Sequence, residues 1–138
     1  MVPSLISYAT GCRMPYQTER EAHGIHQKFW GDLLPPELFD SLKAIPETPD
    51  FPSLRYIIKD YREVNTFDIG VKTLLEGLAL NMHWKHINPH IVVAVVTTDP
   101  EVIDVCRTAL TYPFDAYPRQ VFSTLEDARA WIASFEKR

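Results

Sequence analysis

The chain has 138 residues, of which 46% are hydrophobic and 23% charged, and its formal net charge is −4. That length and balance suit one folded domain with a single core, so residues 1–138 are read as one domain. Lysines and arginines are scattered, which argues against a nucleic-acid partner, and no apolar run approaches the ~20 residues of a membrane span.

The N-terminal "MVPSLISYATGCR" lacks a basic leader followed by a long apolar segment, so a cytoplasmic location is expected. "SLISYAT" and "AHGIHQKFWG" read as strands of limited burial, with "MPYQTERE" as a polar connection between them. "PPELFDSLKAI" opens on prolines suited to a first helical turn and repeats apolar residues at Leu38, Leu42 and Ile45. "LRYIIKD" (Leu54 to Asp60) is short, β-branched and almost continuously apolar, the pattern of a strand covered on both faces.

"DYREVNTFDIG" follows and reads as a strand-to-helix turn, with Asp60 at the strand end and Asp68 capping the next helix. That helix, "VKTLLEGLALNM", sets Val71, Leu74, Leu75, Leu78 and Met82 on one face. "HIVVAVVTT" is a second buried strand. "TTDPEVIDVCRTAL" is a helix with Thr98 and Glu101 spaced as a capping box and an apolar stripe through Val102, Ile103, Cys106, Ala109 and Leu110. "TYPFDAYPRQ" is a stiff, proline-marked connection, and "RQVFS" a shorter third buried strand. The closing helix "STLEDARAWIASF" repeats the box with Ser123 and Glu126 and turns Leu125, Ala128, Trp131, Ile132 and Phe135 inward. Alternating strands and helices predict an α/β fold: a mixed, mostly parallel sheet of four or five strands with about four helices.

Among candidate chemistries, His83 and His86 share a helix face and could chelate a metal. Their place at a helix C-terminus explains them without one. His23 and His26, in a strand, would point to opposite faces. Cys106 lies on an apolar stripe and reads as a small hydrophobe, while Cys12 sits in a loop with no general base in view. No glycine-rich phosphate loop or G-x-S-x-G elbow is present, so no cofactor is expected.

Several segments together resemble the SpoIIAA-like group of the STAS superfamily. They are the strand ending at Asp60, the turn at Asp68, the Ala94-Val95-Val96 strand, the Val121-Phe122 strand and the closing helix from Ala128 to Trp131. "FWGDLLPPELFDSL" is similar to the group's early glycine and first helix, so the likeness runs from about Ala22 onward. The resemblance implies helices mainly on one side of the sheet and a non-catalytic domain that contacts a protein partner or holds a small apolar ligand. It also implies a phosphoacceptor serine at the helix start after the turn, where this chain instead has Ile69-Gly70. The expected binding surface is Asn65, Thr66, Phe67, Asp68 and Ile69, with Phe67 and Ile69 as exposed apolar contacts or pocket-lining groups. The protein partner could be a second copy, in a homodimer. The alternative reading is a small metal protein or enzyme using His83, His86 and nearby acids.

Overall fold

The computed structural model describes residues 15–111 and 117–136. Five strands form one sheet in the order of the chain: β1 (Tyr16–Arg20), β2 (Gly24–Leu33), β3 (Tyr56–Phe67), β4 (Val92–Val96) and β5 (Arg119–Phe122). β1 runs antiparallel to β2, and β2 through β5 are parallel. Helices α1 (Pro35–Ala44), α2 (Gly70–Trp84) and α3 (Pro100–Leu110) bridge successive parallel strands, and α4 (Leu125–Glu136) follows β5. The expected mixed, mostly parallel sheet with helices mainly on one side is what forms.

The order of strands dictates the placement of helices. Each parallel crossover steps to the next strand in the same direction, and crossovers are right-handed, so all three bridging helices fall on one face. Their side chains Leu38, Leu42, Trp84, Val102 and Cys106 join Ile25, Phe29, Ile57, Val93 and Val95 in the larger core. α4 has no following strand and takes the opposite face. There Ala128 and Ile132 pack on Tyr56, Ile58, Val92, Ala94 and Val96.

Several expectations need correction. The segment read as a polar connection contains β1, whose side chains are only partly buried because an edge strand pairs on one side. The strand expected in "SLISYAT" and the loop residues Tyr112 to Ala116 lie outside the described residues. β2 is more buried than expected, with Ile25, Phe29 and Leu33 at or below 1% exposure. Its polar residues find internal partners, though Gln27 only through its amide nitrogen: Gln27 Nε2 donates to the Ser41 carbonyl (3.0 Å) and His26 bonds Asp60.

The largest correction concerns "DYREVNTFDIG". It is not a turn, because β3 continues through it to Phe67. β4 pairs only with Tyr56 to Asp60, so the second half of β3 is bonded to β2 alone. Two register shifts there give β3 one more residue than β2 each time, as in a bulge. Arg62, Glu63, Asn65 and Thr66 consequently stay exposed, which gives the segment its turn-like polarity.

Helix starts also shift. Ile69, not Asp68, occupies the N-cap of α2, with no side-chain cap. Asp99 does cap α3, accepting from the Glu101 N–H at 2.8 Å, and so displaces Thr98 from that role. Thr124, not Ser123, accepts from Asp127 N–H at the start of α4. α2 turns Thr73, Gly77, Leu78, Asn81 and Trp84 inward instead of the stripe through Val71, Leu75 and Met82. Gly77 permits this, because a Cβ there would stand 3.0 Å from Leu42 Cδ1 of α1.

Ile69-Gly70 has a structural reason. Ile69 is 5% exposed and belongs to the larger core, and Gly70 has φ +78°. A serine at Gly70 would meet the steric penalty of a left-handed backbone, about 1–2 kcal/mol. Gly70→Ser should therefore lower unfolding stability in urea by about that amount; an unchanged midpoint would contradict it.

Candidate binding sites

Three places gather polar groups. The first is inside the larger core. β3 alternates its side chains, so Ile57, Lys59 and Tyr61 face α1, α2 and α3 while Ile58 and Asp60 face the other way. Lys59 is 5% exposed, and its Nζ has no hydrogen-bond partner. It stands 5.2 Å from the centroid of Phe29, whose ring stacks on Tyr61 at 4.7 Å. Arg119, at the start of β5, reaches the same region: Nη2 donates to Asn81 Oδ1 of α2, and its enclosed Nε has no partner.

A cavity of about 30 Å³ lies between these groups, walled by Leu38, Leu42, Leu74, Leu78 and Trp84. Burial, with the nearby Arg119 charge, pulls the Lys59 amine down to about 7. Burial likewise lowers Arg119 and raises the Cys106 thiol and the Tyr61 hydroxyl. Among the described residues, no carboxylate acts on either cation.

The second place is on the opposite face, beside α4, whose Arg129 reaches it. His26 Nε2 lies 3.0 Å from Asp60 Oδ2, and its Nδ1 is 3.9 Å from Glu19 and 4.0 Å from Glu21. Arg62 grips Asp60 with two parallel bonds, Nε to Oδ1 (2.8 Å) and Nη2 to Oδ2 (2.7 Å). Burial alone would raise the Asp60 carboxyl, but the bonds from Arg62 and His26 hold it below the usual range. Arg129 of α4 makes a matching fork on Glu21 at 3.0 and 2.8 Å, and the Tyr56 hydroxyl donates to the same carboxylate. Those bonds bring Glu21 down to about 2. Every acid in this cluster with a strong shift has a cation on it, so the cluster reads as structural.

The third place is a pocket of about 690 Å³ at the N-terminal ends of the parallel strands. His23, Arg55, Ile91 and Pro118 immediately precede β2, β3, β4 and β5, and all four line it together with His90. Ile132 and Phe135 of α4 form an apolar wall, and Val92 lies within. The His90 loop is held by Asn88, which donates to the carbonyls of Phe51 (2.7 Å) and Leu54 (2.8 Å) and accepts from His90 N–H (2.9 Å). The Tyr117 hydroxyl donates to the Asn88 carbonyl at 2.7 Å. One buried asparagine therefore fixes one rim of the pocket.

The expected surface from Asn65 to Ile69 divides. Asn65, Thr66 and Asp68 are exposed, and Thr66 donates to Asp32 at 3.0 Å. Phe67 and Ile69 are 3% and 5% exposed and pack in the larger core, so neither is an exposed contact. His83 and His86 are exposed near the end of α2. Among the described residues, no group of three or more histidines, cysteines or acids is arranged to hold a metal. Cys106 is buried, as expected, and Cys12 lies outside the described residues. Sequence reasoning missed Lys59, Asn81, Arg119 and Arg55. Lys59 carried a usable signal, being a charge with Ile57 and Tyr61 two residues to either side, on the same face of a strand read as covered on both faces.

No family model matches the chain, and no curated protein matches it. Among solved structures it is similar to an uncharacterised protein of the DUF3478 family from Shewanella loihica PV-4, described as having a SpoIIAA-like fold. The TM-score is 0.51 at 16% identity, over 85% of this chain and 91% of that one. The chain has a SpoIIAA-like fold. At that identity the SpoIIAA-like likeness concerns architecture alone. No described helix is long and apolar enough to cross a membrane.

The Glu21 fork makes a signed prediction. Because the native carboxyl sits near 2 against an ordinary 4.5, the unfolded chain binds the proton first. The stability it contributes is present above the ordinary value and lost as pH falls toward about 2. Urea unfolding across that window should show a shallower pH slope for Glu21→Gln than for the parent chain, and equal slopes would contradict the assignment.

Proposed function

We propose that this SpoIIAA-like domain is a non-catalytic binding domain that takes a small organic ligand into the pocket at the N-terminal ends of β2 to β5. The carrying observation is the pocket itself: about 690 Å³, within the ordinary size of ligand sites, with an apolar wall and a cationic, imidazole-bearing rim. Among the described residues, its lining contains no carboxylate, thiol or hydroxyl. No described nucleophile or acid therefore stands ready to work with His23 or His90, which favours binding over acid–base or covalent chemistry. The composition of the wall and rim favours an apolar body carrying an acidic group, with Arg55 as its anchor.

The strand order supports this location. Open α/β sheets usually bind ligands at the carboxyl ends of strands, where the order reverses. Here the described strands run in chain order without a reversal, so they form no such crevice. The Asn65–Ile69 stretch, at the carboxyl end of β3, has its two large apolar side chains committed to the core.

A fluorescent anionic probe with an apolar body, anilinonaphthalene sulfonate, tests the reading in the native chain. Arg55→Ala combined with His90→Ala should weaken binding about tenfold, the scale of one lost charged hydrogen bond. Asn65→Ala with Asp68→Ala should leave it unchanged. The reverse pattern would overturn the proposal and return the site to the β3 end.

A further inference from the structure

The buried Lys59 and the half-buried Arg119 beneath α1 and α2 carry a separate inference, independent of the ligand pocket. Lys59 Nζ and Arg119 Nε are both enclosed and both lack a hydrogen-bond partner. An arginine does not shed its charge to escape burial, so at least one positive charge is present without a carboxylate partner among the described residues. The charged or titratable groups acting on the pair are Tyr61 from β3 and Cys106 from α3, with the two cations acting on each other across β3 and β5. α1 and α2 contribute apolar walls and the neutral Asn81, whose oxygen is already taken by Arg119. Burying charge without a partner is costly, and a buried polar group without one calls for an explanation.

The space that both side chains line, about 30 Å³, exceeds the roughly 10–15 Å³ that a water-sized guest requires. Two donors of positive character facing a small, apolar-walled volume are complementary to a compact anion. We propose that this cavity is a site for one monovalent anion of halide size, held between Lys59 Nζ and Arg119 Nε. Gln27 Oε1, the third enclosed atom without a partner, is not in the cavity wall and cannot substitute as the acceptor. The anion requires the Lys59 ammonium, so its affinity falls as pH rises through the amine's titration at about 7.

Bromide is the probe. Crystals of the full chain grown in sodium bromide at about pH 6, on the acid side of the amine, should show an anomalous peak within hydrogen-bond reach of both nitrogens. Lys59→Met should lose that peak. In solution at constant ionic strength, replacing gluconate with bromide should raise the melting temperature of the parent chain, and Lys59→Met should lose the shift. The solution result on the parent chain stands even if the variant does not crystallise. A water or empty density in the cavity, or a bromide shift of equal size in Lys59→Met, would overturn the proposal.

Discussion

Parallel strands laid down in chain order constrain everything else in this molecule. With each crossover right-handed and stepping the same way, α1, α2 and α3 have only one face to cover. The other face receives α4 alone, which reaches β4, β5 and the neighbouring half of β3. One face is therefore a deep apolar core and the other is split between a small core and a polar quarter. The same order removes the strand-reversal crevice and leaves the amino ends of β2 to β5 as the place where four loops converge on a pocket.

The strand pleat then sorts charges. Lys59 and Asp60 are adjacent in sequence but point to opposite faces, so they do not pair. Asp60 joins His26 and Arg62 on the polar quarter, where its charge is matched. Lys59 enters the helix-covered core, where the charged side chain acting on it among the described residues is another cation, Arg119. Gly77 adds to the effect, since it permits α1 and α2 to approach closely over this region. A two-residue alternation thus produces a fully satisfied acid cluster on one side and an uncompensated pair of cations on the other.

Much of this was legible from the residue pattern, and the failures have physical causes. β4 and the two helices flanking it are strongly periodic, and each fell where expected. The extension of β3 was hidden because its second half, with one neighbouring strand, carries the polar residues that otherwise mark a turn. β1 was hidden for the same edge-strand reason. The inward face of α2 was misassigned because hydrophobicity alone ranks Val71 and Leu75 above Thr73 and Gly77, while close packing against α1 favours the small residues. Phe67 and Ile69 were placed on a surface because a turn was assumed; as the end of a strand and the start of a helix they are core. The pocket was not legible at all, since His23, Arg55, His90 and Pro118 are far apart in sequence and meet only through parallel register.

The central claim is that β3 carries its lysine into the larger core, where no described carboxylate meets it. The most direct test is the titration of the Lys59 side chain, followed by the carbon chemical shift next to the amine in halide-free gluconate buffer. A midpoint at about 7 is the predicted result. A midpoint near the ordinary 10.5 would show a solvated or acid-paired amine and contradict the account.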